Sequence, residues 1–245
     1  MEYKSRFYPE SRYGGFTDID STIHFYLRVN ALLTGSSIVL DVGCGRGQYA
    51  GDPLGIRREL QVLQNRAASV IGIDIDPRAK KNPFLDVFQL ISAGEPWPVD
   101  SASIDLCVCD WTLEHIEDPE HFFSESWRVL APGGVLCIRT SNLLHYRSLA
   151  AAIIPERYHR SILKVAQRGT WRKEEDVFPA RYRCNTRRKI RRIQKRHGFS
   201  DIVVYGFHSE PAYLAFSNLA YLIGKMYQQL LPDVFAPMIF SFSRK

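Results

Sequence analysis

Apolar runs of strand length alternate along this chain with segments whose apolar residues recur at helical spacing. Val39-Leu40-Asp41-Val42, Val70-Ile71-Gly72-Ile73-Asp74, the run around Cys107 and Cys109, and Val135-Leu136-Cys137-Ile138-Arg139-Thr140 read as buried strands. A helix is expected from a cap at Asp20 or Ser21 through Phe25, Leu27, Val29 and Leu32 to about Leu33, with Gly35 ending it. Asp118-Pro119 starts another, with Asp as cap and Pro in the first turn, and Phe123, Trp127 and Leu130 form its apolar stripe. Strands alternating with helices predict an α/β fold with a doubly wound, mostly parallel sheet and helices on both faces. Asp201 to Phe207 and Met238 to Ser243 supply two late strands. Between them, Glu210 to Leu231 reads as an amphipathic helix. Its apolar face carries Phe216, Leu219, Ile223, Tyr227 and Leu230, and it is expected to pack on the sheet.

The chemistry concentrates after the first strand. Asp41-Val42-Gly43-Cys44-Gly45-Arg46-Gly47 places an acid at the strand end and three glycines at alternate positions. Glycine permits a tight turn and close backbone approach to a ligand, and ligands of open α/β sheets bind beyond the carboxyl ends of strands. The spacing is not that of dinucleotide folds. A pyrophosphate wants backbone N–H groups and positive charge, and Asp41 would repel it. Asp41 suits an ammonium-bearing ligand such as S-adenosylmethionine (SAM), which has no phosphate. Asp74, at the end of the second strand, is the candidate acceptor for ribose hydroxyls. Asp76, two residues on, is expected to cap a turn.

These segments resemble a class I SAM-dependent methyltransferase. VLDVGCGRGQY at 39–49 is similar to that family's first motif and VIGIDID at 70–76 to its second. Pro98 to Asp105 resembles the turn into the fourth strand, and Asp110-Trp111-Thr112-Leu113-Glu114-His115-Ile116 the segment that follows it. Arg128-Val129-Leu130-Ala131-Pro132-Gly133-Gly134 matches the approach to strand five. Five segments fall in order between about Asn30 and Gly206. The resemblance implies a Rossmann-like sheet of seven strands, the last antiparallel, and SAM as cofactor. It implies cofactor contacts from Asp41, Gly43, Cys44, Gly45, Gly47, Asp74, Ile75, Asp110 and Trp111. The family often places an acid after strand three for the adenine amine; here Ile91-Ser92-Ala93-Gly94-Glu95 has none, and Ser92 or Ala93 stands in its place.

Composition fits one soluble domain. The 245 residues are 45% hydrophobic and 24% charged, enough for one α/β core. No apolar run reaches membrane-spanning length, and Met1 to Arg6 lacks a signal-peptide core, so a cytoplasmic location is expected. Cys107, Cys109 and Cys137 are expected to pack as small apolar residues, and Cys184 to lie in a loop, open to exposure. No Cys/His cluster has zinc spacing, so no metal is expected. The domain is expected to span 1–245, with an N-terminal flap at 1–35 and a substrate-cap insertion at about 145–186. Loops this long in compact domains tend to be functional. Tyr146, Tyr182, Arg183 and Asn185 are its candidate acceptor contacts.

Thr186 then caps a helix in which seven of the ten residues 187–196 are Lys or Arg, with only Ile190 and Ile193 facing inward. Without those seven charges the chain's net +6 becomes −1. Such a run is a solvated face, or a patch for nucleic acid or membrane phosphates.

A hydroxyl acceptor must lose a proton, so a general base helps. His115, shortly after strand four, is the leading candidate. The favoured reading is O-methylation of a small molecule or saccharide. An RNA methyltransferase using helix 187–197 is the alternative. Against it stand the lack of an RNA-binding module and Asp110-Trp111-Thr112-Leu113 where base-amino methylases carry a Pro-Pro-Tyr/Phe-type motif. A SAM-binding partner without catalysis is the third reading.

Overall fold

Seven strands build the sheet of the computed structural model, which describes residues 2–146, 148–149, 179–211, 214–215 and 217–245. They are β1 (Ile38–Val42), β2 (Ser69–Asp74), β3 (Val87–Leu90), β4 (Ile104–Asp110), β5 (Leu130–Ser141), β6 (Ser200–Phe207) and β7 (Met238–Arg244). Their order is β3-β2-β1-β4-β5-β7-β6. Pairing is parallel from β3 to β5, and β7 runs antiparallel to both β5 and β6. Strand order reverses between β1 and β4, which opens a crevice at their carboxyl ends, the place where such sheets bind ligands.

The helices are α1 (Glu2–Phe7), α2 (Ser21–Leu32), α3 (Gly55–Gln61), α4 (Pro119–Val129), α5 (Arg187–Arg196) and α6 (Asn218–Leu230). Local chemistry sets their starts. Asp20 accepts the N–H groups of Thr22 and Ile23 at the head of α2, Asp118 those of Glu120 and His121 at α4, and Thr186 that of Lys189 at α5. Each cap contributes about 1 kcal/mol.

Two apolar clusters cover the two sheet faces. One joins Leu40, Ile104, Leu136 and Ile138 to Phe122 and Phe123 of α4 and to Ile190 and Ile193 of α5. The other joins Val39, Leu106, Val108 and Phe240 to Phe25 and Val29 of α2. At roughly 2 kcal/mol for each fully buried Phe or Leu, these clusters hold the strand ends in place.

Five expectations change. Cys184 is buried, packed against α5. Gln194 turns inward with Ile190 and Ile193, because its amide donates to Ser241 and Ser243 of β7. Trp127 is 39% exposed, with the Lys245 ammonium 4.1 Å from its ring centre. Leu27 lies half exposed on α2, away from the stripe of Phe25 and Val29. The late amphipathic helix begins at Asn218, not Glu210, and does not lie apolar-face-down on the sheet. Its buried residues are Tyr221 and Gly224, and it packs against the N-terminal arm. Phe7 stacks on Tyr221 with ring centres 5.2 Å apart, and Tyr8 donates to Gln228 at 3.0 Å. Phe216 and residues 150–178 of the expected insertion lie outside the described residues.

Candidate cofactor site

The turn after β1 is tied to β2 by its backbone. Gly43 and Cys44 both direct their N–H groups at the Ile73 carbonyl, at 2.8 and 3.3 Å. Gly43 has φ +70°, and a Cβ there would sit 2.3 Å from Thr112 Oγ1. Gly47 has φ +71°, and a Cβ there would meet Asn82 Oδ1 at 2.6 Å. Both positions therefore need glycine for conformation and for space. Asn82 staples the turn from outside, its amide donating to the carbonyls of Cys44 and Gly45.

Asp74 ends β2 in a buried position and faces the same turn. Its Oδ2 accepts the Gly45 N–H at 2.9 Å, and its Oδ1 the Asp76 N–H at 2.8 Å. Each carboxylate oxygen can accept a second bond, which is what a ribose diol requires. Asp76 itself caps the following turn through the Arg78 N–H. Ile75 stands between them, 57% exposed, an apolar surface at the crevice rim. Beyond β3, Ser92 and Ala93 are exposed in a turn closed by the Glu95 N–H on the Ser92 carbonyl.

Asp41 points into an acidic crevice. Burial, with the negative charge of Asp110 and then Asp74, pushes its carboxyl up to about 7. Asp110 is held differently from Asp41. Arg139 of β5, fully buried, grips it at two points, Nε to Oδ1 at 2.6 Å and Nη2 to Oδ2 at 2.7 Å. The Tyr26 hydroxyl of α2 adds a bond at 3.2 Å, and Arg139 reaches on to Thr22 at 2.9 Å. Trp111 follows in the left-handed region at φ +54°, its N–H on the Arg139 carbonyl and its ring 5.4 Å from the guanidinium carbon. Arg139 thus neutralises Asp110 and fixes Trp111.

Past β4 the chain turns through Leu113–His115. His115 is part-buried, its Nδ1 3.0 Å from the Pro179 carbonyl. Glu114 is buried and accepts the hydroxyls of Thr140 at 2.7 Å and Ser141 at 2.9 Å. The Glu114 carbonyl accepts the N–H groups of Arg181 and Tyr182, which brings the returning chain to the mouth of the crevice. Tyr182 is part-buried there at φ +51°. Asn185 does not reach into the crevice: it is 1% exposed, and its amide donates to Thr140 Oγ1 at 2.7 Å. Arg183 is drawn onto Glu117 at the surface. Tyr146 joins His145 and Tyr227 in a separate ring cluster, beside a cavity of about 20 Å³.

The strand ends therefore assemble Asp41, the glycine turn, Asp74, Asp110 and Trp111 in one place. Asn185 becomes an anchor, while Arg183 pairs with Glu117 and Tyr146 joins the rings of His145 and Tyr227. Arg139, Tyr26, Thr22, Glu114 and Asn82 are the members sequence reasoning missed. For Arg139 a signal existed: a lone charge inside the apolar run 135–140 demands a buried counter-ion.

The residues fit SAM. A carboxylate at the open strand end can pair with an ammonium, and an acid with spare lone pairs can accept a ribose diol. Fold and site define a class I SAM-dependent methyltransferase domain. Residues 40–138 match the family model described as "Methyltransferase domain". The chain is 34% identical over 113 residues to a Mycolicibacterium smegmatis protein named "Probable S-adenosylmethionine-dependent methyltransferase"; the match takes in 44% of this chain and 39% of that one. It is 26% identical over 183 residues to the ubiquinone biosynthesis O-methyltransferase of Psychrobacter arcticus, covering 71% of this chain and 63% of that one. The chain thus spans less than two thirds of these relatives' lengths. A SAM-dependent methyltransferase structure from Archaeoglobus fulgidus superposes with a TM-score of 0.57 at 17% identity, over 96% of this chain and 97% of that one. Among the described residues, no helix is long and apolar enough to cross a membrane.

Proposed function

We propose that this protein moves a methyl group from SAM to a hydroxyl oxygen of a small molecule or saccharide. The observation that carries the reading is the convergence of Asp41, the Gly43–Gly47 turn and Asp74 on one crevice, with His115 in the turn that follows β4. The named O-methyltransferase relative supports oxygen as the acceptor atom.

When bound, SAM supplies a methyl carbon made electrophilic by its sulfonium. Asp41, part-exposed beside the turn, receives the ammonium, whose positive charge offsets the crowding of three carboxylates. Asp74 accepts the ribose hydroxyls while its backbone bonds hold it still. Ile75 would cover one side of the adenine, and Ser92 and Ala93 would offer the polar edge. Trp111, pinned by Arg139, walls the cofactor with an apolar face. His115 would take the acceptor's proton as the methyl group passes to the acceptor oxygen. Tyr182 lines the acceptor side. Holding the reacting atoms in line supplies much of the rate.

The test is a transfer screen with tritiated SAM against phenols, hydroxylated sugars and RNA. Label recovered as a methyl ether of a hydroxylated compound supports the reading. Label in RNA, or in nothing, contradicts it.

A further inference from the structure

The apolar stripe of α6 is not covered by the described residues. Leu219, Leu222, Ile223, Met226 and Leu230 recur at helical spacing and are all exposed, Leu219 and Leu230 at 67% and 74%. Contiguous apolar surface of this kind marks an interaction site. The helix contains no Asp or Glu. Its tail is fixed to the end of β5, where the Asn142 amide donates to the carbonyls of Val234 and Ala236 at 2.8 and 2.7 Å.

The second feature meets the same strand end. Asn185, bonded to Thr140 and to the Ser141 carbonyl, sets the start of α5 beside it. On α5, Arg188, Lys189, Arg191, Arg192, Lys195 and Arg196 are exposed. Among the described residues only Arg196 has a carboxylate partner, Glu120. Arg188 with Arg192, and Arg191 with Lys195, place like charges four residues apart, an arrangement that destabilises a free helix. The first turn of α5 also sets cations against the positive end of the helix dipole. A helix that carries these costs with a single acidic partner among the described residues is suited to meet negative charge.

We propose that the apolar stripe of α6 and the cationic flank of α5, whose tail and start respectively are anchored near the carboxyl end of β5, dock this protein on an anionic lipid bilayer. An apolar helix face with nearby Lys and Arg is what binds at the headgroup boundary. A second copy of the chain fits poorly, because it brings the same net +6 and the same α5. A nucleic acid would meet the cations but leave the apolar stripe in water. The surface holds the protein on a membrane without spanning it, and the inference does not depend on which hydroxyl is methylated.

Vesicle co-sedimentation tests it, with phosphatidylcholine alone and with phosphatidylglycerol added. The full chain should bind the anionic vesicles and release as salt screens the headgroups. The exposed-site variants Leu219→Gln/Ile223→Gln/Leu230→Gln and Arg188→Glu/Arg191→Glu/Arg192→Glu should each weaken binding at least about tenfold. SAM binding by calorimetry should be unchanged in both, which shows that they fold and separates this surface from the cofactor site. No retention on anionic vesicles, or equal retention of the variants, overturns the proposal. So does a dimer in light scattering that the apolar variant alone converts to monomer.

Discussion

Arg139 and Asp110 form a buried two-point ion pair across neighbouring strands, Nε to Oδ1 at 2.6 Å and Nη2 to Oδ2 at 2.7 Å. Burial works against the Arg139 charge, yet Asp110 holds the guanidinium above its usual range. The pair joins β4 to β5 and, through Thr22 and Tyr26, fastens α2 over the crevice.

Breaking that pair from one side leaves a buried charge alone. Arg139→Met should cost about 3–5 kcal/mol in urea denaturation. The double variant Arg139→Met/Asp110→Asn should recover part of the loss, because the stranded carboxylate is gone. A double variant as unstable as the single one would show that Arg139 acts through packing on Phe25 and Trp111 instead.

The Asp41 carboxyl, raised to about 7 by burial, Asp110 and Asp74, makes the ligand-free protein sensitive to pH. An acid whose folded value lies above its unfolded value favours the folded state in the protonated form. That contribution is complete below about pH 4 and is lost as pH rises through about 7, by up to about 4 kcal/mol. Asp41→Asn should flatten this decline in a stability–pH profile. SAM, whose ammonium favours the ionised form, should raise the melting temperature more at pH 8 than at pH 5. An equal rise at both would separate Asp41 from the ammonium.

His115→Ala should lower turnover by about 100-fold or more with SAM affinity intact. Normal turnover would remove His115 as base and leave it the part of a ring fixed against Pro179.

Much of this site was legible because its signals are local. Asp20, Asp118 and Thr186 cap their helices through the next few residues, and Gly43 and Gly47 take the left-handed values a turn of that spacing needs. What escaped depends on partners distant in sequence. Arg139 meets Asp110 across 29 residues, and Glu114 meets Thr140 across 26. Cys184 lies in a loop as expected, but its burial escaped because nothing near it in sequence says that it packs into the cluster of β5 and α5. The helical periodicity of 218–230 was correct, but periodicity gives an apolar face and not what covers it; the N-terminal arm took the opposite side.

Asp74 and the glycine turn together are expected to hold SAM in the crevice. Isothermal calorimetry of SAM against the native chain and against Asp74→Ala tests this most directly. Saturable one-site binding to the native chain should weaken at least about tenfold in the variant, the loss of a charged hydrogen-bonding acceptor being worth about 1.5 kcal/mol or more. No binding to the native chain, or the same affinity in a folded Asp74→Ala protein, would contradict it.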